Sequence, residues 1–150
     1  METAPLPETL VHSLQASPLE GALQAVLSHF GCQAGTWHTL SGTSLHLKAA
    51  CHIPPPVLAM IQEVPVGKGI AGLAAERIAP VSLCNLQTDN TGQARPQAKA
   101  TGMEGSLAVP ALDQQGNLFG VLGIAKAQAH DWSEAETTAV RQAADILAQR

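Results

Sequence analysis

At 150 residues, 45% hydrophobic but only 3% aromatic and without tyrosine, the chain has the size of one ordinary domain and must build its core from Ala, Leu, Val and Ile. A net charge of −4, a pI near 5.8 and eight scattered basic residues argue against nucleic acid and anionic membrane as partners. No apolar run approaches the ~20 residues of a membrane helix. The acidic start METAPLPETLVHSL is no signal peptide, and the widely spaced, odd-numbered Cys32, Cys51 and Cys84 form no disulfide framework, so a cytoplasmic home is expected.

In chain order, a short helix is expected around Glu8 to Gln15, within an N-terminal extension at 1–16. Ser17-Pro18-Leu19-Glu20 then supplies a capping residue, a proline at the first helical position and an acid at the third. Leu19, Leu23, Val26, Leu27 and Phe30 form one apolar face of that second helix, and Gly31 ends it. Gly35 to Leu40 and Ser44 to Cys51 read as strands joined by a turn at Ser41-Gly42-Thr43. In the second strand Leu45, Leu47 and Ala49 alternate with His46, Lys48 and Ala50. Ile53-Pro54-Pro55-Pro56 suits neither mid-strand nor mid-helix but can launch a short helix from Val57 to Gln62.

Gly67-Lys68-Gly69-Ile70-Ala71-Gly72 fits the dinucleotide pattern G-x-G-x-x-G. Its context argues against a pyrophosphate site. Pro65 spoils the preceding Val64-Pro65-Val66 as a central strand, and the following helix, Ile70 to Arg77, spans only two turns. The glycines are expected to serve a sharp turn and a close helix–sheet contact instead. Pro80-Val81-Ser82-Leu83 reads as a short strand, and 87–105 as a polar connection long enough to be a binding lid, with a turn of helix at Pro96 to Thr101. Ser106 to Leu112 and Leu118 to Lys126 form a hairpin, and Ser133-Glu134-Ala135-Glu136 is a capping box opening a helix to about Gln149. No internal repeat or second domain is visible, so 1–150 is read as one domain.

The order of these elements resembles a GAF domain, a small ligand-sensing module, over about 19–148. The resemblance rests on Leu47-Lys48-Ala49-Ala50 before Ile53-Pro54, on the glycine loop, and on Pro80-Val81 with Asp89. It continues through Leu107-Ala108-Val109-Pro110, Gly120-Val121-Leu122-Gly123-Ile124 and Trp132-Ser133-Glu134-Ala135-Glu136. His52 stands where the family usually has glycine. The resemblance implies an α+β fold with a central antiparallel sheet of five or six strands. The first and last helices would cover one face, and short helices with the long loop would cover a ligand pocket on the other. It names no ligand or cofactor, because family members bind many different small molecules.

Specialised branches fit less well. Asn85 and Asp89 are fragments of a cyclic-nucleotide signature without its Lys and Phe, and Cys51-His52 lies away from the bilin-attachment position. The alternatives to a non-catalytic sensor are a ligand-free dimerisation module and a thiol enzyme similar to free methionine-R-sulfoxide reductase. That branch carries cysteines where this chain has Ala71 and Ala100. No cysteine–histidine cluster has zinc spacing, although His29 and Cys32 lie three residues apart.

The pocket so implied would be flanked by two helix starts, one beside Lys68, the other beside Arg95 and Lys99. Helix N-termini receive anions, so a small carboxylate or oxyanion is the expected ligand class. The candidate ligand residues are Lys68, Gly69, Ile70, Asp89, Arg95, Lys99 and Ser106; Trp37 is expected in the core. The last helix is apolar over a wide arc, so Ala135, Ala139, Ala143 and Ile146 are expected to form a homodimer stripe, with Val140, Ala144 and Leu147 on the sheet. Signalling would then run through that dimer or a partner protein.

Overall fold

The computed structural model describes residues 5–150; the first four residues of the N-terminal extension lie outside that range. Helix α1 (Glu8–Ala16) runs into α2 (Leu19–Phe30) through Ser17-Pro18. Ser17 does not cap α2. It ends α1, donating its backbone N–H to Ser13 O at 3.0 Å, and Pro18 occupies the cap position without a side-chain bond. A sequence-level cap was pre-empted by the helix before it. Gly31 closes α2 in the left-handed conformation, as its sequence position implies.

The strands are β1 (Ala34–Ser41), β2 (Ser44–Cys51), β3 (Glu63–Pro65), β4 (Val81–Leu83), β5 (Gly105–Leu112) and β6 (Leu118–Lys126). They form one antiparallel sheet in the order β3-β2-β1-β6-β5-β4. Pro65 sits on edge strand β3, where a missing ladder donor does no harm. Helices α3 (Pro55–Met60), α4 (Gly69–Arg77) and α5 (Glu134–Gln149) complete the α+β fold, with a 3₁₀ helix at Pro96–Thr101.

Strand alternation splits the core into two layers. Trp37, Leu107, Val109, Ala111, Leu122 and Ile124 meet α1, α2 and α5 on one face. Val81, Ala108 and Val121 meet Ala74 and Ala75 of α4 on the other. The regular alternation expected in β2 fails. A bulge in β2 opposite Trp37 and His38 shifts the register, so Leu45 joins the α4 layer and Ala49 the helical layer. At the chain ends, Asp145 accepts the N–H of Leu112 at 2.9 Å, and the Arg150 guanidinium donates to Leu14 O and Ser17 O. All three bonds tie α5 and its C-cap to their surroundings.

The α5 interface corrects one expectation. Ala143 is fully buried beside Val140, Ala144 and Leu147 within the chain's own core. Ile146 packs partly against that core, Ala139 is half-buried and Ala135 is exposed. Docked on β5, with Asp145 accepting from Leu112, α5 turns Ala143 inward and out of the proposed stripe.

Candidate functional site

The α4 face of the sheet encloses a cavity of about 160 Å³. Strands β1, β5 and β6 form its floor through Thr36, His38, Ser106 and Gly123, while α3, the start of α4 and the 3₁₀ segment roof it. Most of the lining is aliphatic: Ile53, Val57, Met60, Ile61, Leu86 and Met103. A cavity of roughly 150 Å³ accepts a benzene-sized body. The wall carries Lys68 and Arg95, and no Asp or Glu stands among its described residues.

One end of the cavity is the N-terminus of α4. Pro65 O accepts the N–H of Lys68 at 3.1 Å, and the N–H of Gly72 makes the first helical bond, to Lys68 O at 3.1 Å. The N–H groups of Gly69, Ile70 and Ala71 precede that bond and have no place in the helical ladder. Gly69 adopts φ +66°, and the Arg95 stem crosses it: a Cβ there would lie 3.1 Å from Arg95 Cγ. The missing side chain therefore seats Arg95 over the start of α4. Lys68 and the Arg95 stem, both on exposed residues, border this helix start, where the dipole favours an anion.

The glycine loop is not a pyrophosphate cradle. Gly67 spends its N–H on Gly72 O at 2.8 Å, and Lys68 spends its own on Pro65. Gly72 serves packing, since a Cβ there would stand 2.5 Å from Pro65 O. The sheet beside it is antiparallel, unlike a βαβ unit.

Of the candidate residues, Lys68, Gly69, Ile70, Arg95 and Ser106 line the cavity together. Asp89 and Lys99 are not in the wall. Asp89 organises a surface turn, accepting the Thr91 hydroxyl at 2.7 Å, and that bond helps hold its carboxyl below the usual range. Lys99 is exposed, and its carbonyl accepts from the Gln87 side chain at 3.0 Å. The Pro96–Thr101 element is a short 3₁₀ helix, so Arg95 contributes through its side chain rather than through a second dipole. Trp37 lies in the core on the opposite face, as expected.

His38 was not anticipated. It is 2% exposed and lines the cavity floor. Its Nε2 lies 2.9 Å from Ile61 O, and a carbonyl can only accept, so Nε2 carries the proton. Burial lowers the pKa of His38, the Ile61 bond opposes this, and His46 lowers it further; the ring is neutral at pH 7. Nδ1 is then a buried acceptor with no partner among the described residues. The only trace in the sequence is a histidine within an otherwise ordinary strand pattern.

The cysteines stand outside the cavity wall. Cys32 is buried, with its thiol pushed up to about 11 chiefly by desolvation, against the lowering effect of Lys126. Cys51 is raised by burial and by Glu20, whereas Cys84 is exposed. Ala71, at an expected reductase cysteine position, does line the cavity. Among the described residues no group of three or more His, Cys, Asp or Glu could hold a metal ion, and no helix is long and apolar enough to cross a membrane.

Solved structures of the same architecture include GAF domains and free methionine-R-sulfoxide reductases. The GAF domain of a phosphoenolpyruvate-protein phosphotransferase from Coxiella burnetii superposes with a TM-score of 0.71 at 22% identity, covering 93% of this chain and 89% of that one. Free methionine-R-sulfoxide reductase from Neisseria meningitidis, solved with its substrate, gives 0.71 at 16% identity, covering 93% and 75%. The type II enzyme from Thermoplasma acidophilum gives 0.71 at 18%, covering 93% and 92%. At these identities the likeness is one of fold. Comparison with curated proteins returns no match. The family model described as GAF domain matches residues 18–149, so with its six-stranded antiparallel sheet and covered cavity the chain belongs to the GAF domain family.

Proposed function

We propose that the chain is a non-catalytic GAF domain that binds a small organic acid in the α4-face cavity and signals through a partner or its own homodimer. One observation carries the ligand class: an aliphatic cavity closed at one end by the α4 N-terminus, Lys68 and Arg95, with no acid in its described wall. A carboxylate would sit at that end and an apolar body of about six to ten non-hydrogen atoms would fill the rest. The thiol-reductase reading has less support. Its chemistry needs a reactive thiolate at the substrate, whereas the cavity holds Ala71 and the Cys32 thiol stays protonated.

The test is differential scanning fluorimetry with short-chain and aromatic monocarboxylates. A ligand at a hundred times its Kd adds about 2.7 kcal/mol, which for a domain of this size raises Tm by about 5–10 °C. Arg95→Ala and Lys68→Ala should each shrink that shift. A full panel without any shift, or shifts that survive both substitutions, would sink the reading.

A further inference from the structure

Arg95 belongs to a strap, residues 87–103, in which no described residue is fully buried. Burial therefore anchors it weakly, and hydrogen bonds carry more of its position. The neck of the strap is closed by the Leu86 N–H, which donates to Glu104 O at 2.6 Å. Just inside that neck, Gln87 Nε2 donates to Met103 O at 2.7 Å and to Lys99 O at 3.0 Å. Both partners are carbonyls, which only accept, so the amide nitrogen of Gln87 and not its oxygen faces them. One side chain thus uses both its protons to join the start of the strap to its end and to the 3₁₀ helix at Pro96–Thr101.

That 3₁₀ helix carries Arg95. It starts at Pro96, and Arg95 O accepts the N–H of Ala98 at 2.9 Å, with Lys99 the next residue. Fixing Lys99 O therefore fixes the backbone of Arg95, whose stem crosses Gly69 at the start of α4. Gln87 itself does not stand in the cavity wall. Resting on the reading of the cavity as an acid-binding site, we infer that Gln87 is a positioning residue for that site, holding the 3₁₀ helix so that Arg95 borders the α4 N-terminus where the carboxylate is received. It acts on an acid through Arg95 and is indifferent to a neutral ligand of the same shape.

Calorimetry on the full chain tests this with two acids, benzoate and isocaproate, and their neutral amides, benzamide and isocaproamide. Gln87→Leu keeps a side chain of similar size and deletes both donors. It should weaken the acids about two- to fivefold, the worth of one exposed charge contact, and leave the amides unchanged. In an Arg95→Ala background the same substitution should change neither, because the group it positions is gone. Linkage requires the converse: an acid bound at Arg95 must steady the Gln87 bonds by the same factor. In the wild type the tighter of the two acids should therefore slow solvent exchange of the Gln87 side-chain amide protons, and its amide should not.

Acids that bind Gln87→Leu as tightly as wild type would overturn this inference and leave the acid-binding reading standing. Equal losses for acid and amide would overturn it too, since they mark a roof that has merely loosened. So would a Gln87→Leu loss that persists undiminished without Arg95. If Gln87→Leu does not fold, the exchange measurement decides alone, and amide protons indifferent to the bound acid refute the assignment. Failure of both acids to bind the wild type would remove the acid-binding reading itself, and this inference with it.

Discussion

Two glycine-to-alanine substitutions in helices should change stability in opposite directions. Both gain about 1 kcal/mol from helix propensity and reduced chain entropy. Gly21 lies on the exposed side of α2, and a Cβ there would meet only Ser17 Cβ at 3.7 Å, an ordinary contact. Gly72 lies in the first turn of α4, where a Cβ would stand 2.5 Å from Pro65 O and 3.1 Å from Gly67 N. Both are backbone atoms, and Pro65 O already accepts from Lys68. No rotamer change relieves the overlap, so α4 must lift from β3 by at least half an ångström to restore the 3.0 Å minimum. Overpacking of this kind costs about 1–3 kcal/mol, at the upper end where backbone must move. Net of propensity, Gly72→Ala loses about 1–2 kcal/mol, or roughly 2–8 °C in Tm, while Gly21→Ala gains about 2–4 °C. Calorimetric scans and urea titrations of both variants measure this. The same lift displaces Lys68 and Gly69, so Gly72→Ala should also weaken acid binding. A Gly72→Ala protein as stable as wild type would refute the close-approach argument, whatever Gly21→Ala does.

The remaining expectations concern the thiols, the α5 cap and the dimer. Iodoacetamide in native protein should label exposed Cys84 well before buried Cys32, as mass spectrometry of partial digests would show. Because folding raises the Cys32 pKa to about 11, its protonated thiol contributes stability below the unfolded value near 9.0, and that contribution is lost as pH climbs towards 11; Cys32→Ala should flatten the alkaline limb of the stability profile. Ser133→Ala should cost about 1 kcal/mol, since it removes one half of a complete capping box. For Glu136, burial pushes the carboxyl pKa up, but the Ser133 N–H and the His130 bond outweigh it and hold it below 4.5. Its contribution is therefore present above that value and lost as pH falls through the lowered one, so Glu136→Gln should be less sensitive to acid in chemical denaturation. On the outer side of α5, Ala135→Glu with Ala139→Glu should turn a homodimer into a monomer by light scattering; a monomeric wild type at micromolar concentration, or a dimeric variant, rejects the surface.

The fold was readable because its signals are local and mutually consistent. The apolar run Leu118 to Lys126 and the capping box at Ser133-Glu136 each act within a few residues and place their elements, while the helix expected from Val57 to Gln62 starts two residues earlier, at Pro55. The errors have non-local causes. Ser17 has cap chemistry, but α1 ends on it; the β2 alternation is regular in sequence, but a bulge across from Trp37 and His38 turns its faces over. Ala143 belongs to an arc of small residues that could turn either way. The docking of α5 on β5, fixed by Asp145 and Leu112, decides which way.

The cavity shows the same division between what a sequence announces and what only packing creates. A helix N-terminus beside a lysine is visible as a string, and so Lys68, Gly69 and Ile70 were legible. Arg95 was legible only as a charge, because its seat over Gly69 depends on two segments meeting with no side chain between them. Asp89 and Lys99 share that loop and its polar character, yet a turn bond and surface exposure spend them elsewhere. His38 lies at the far extreme. Nothing in Trp37-His38-Thr39 marks a binding residue, for a histidine in a strand can face either side and find any partner. Its place in the wall arises when Ile61, at the end of α3, accepts a hydrogen bond from its Nε2–H. The acid-binding reading proposed for the cavity rests on its lysine end, which the sequence announces.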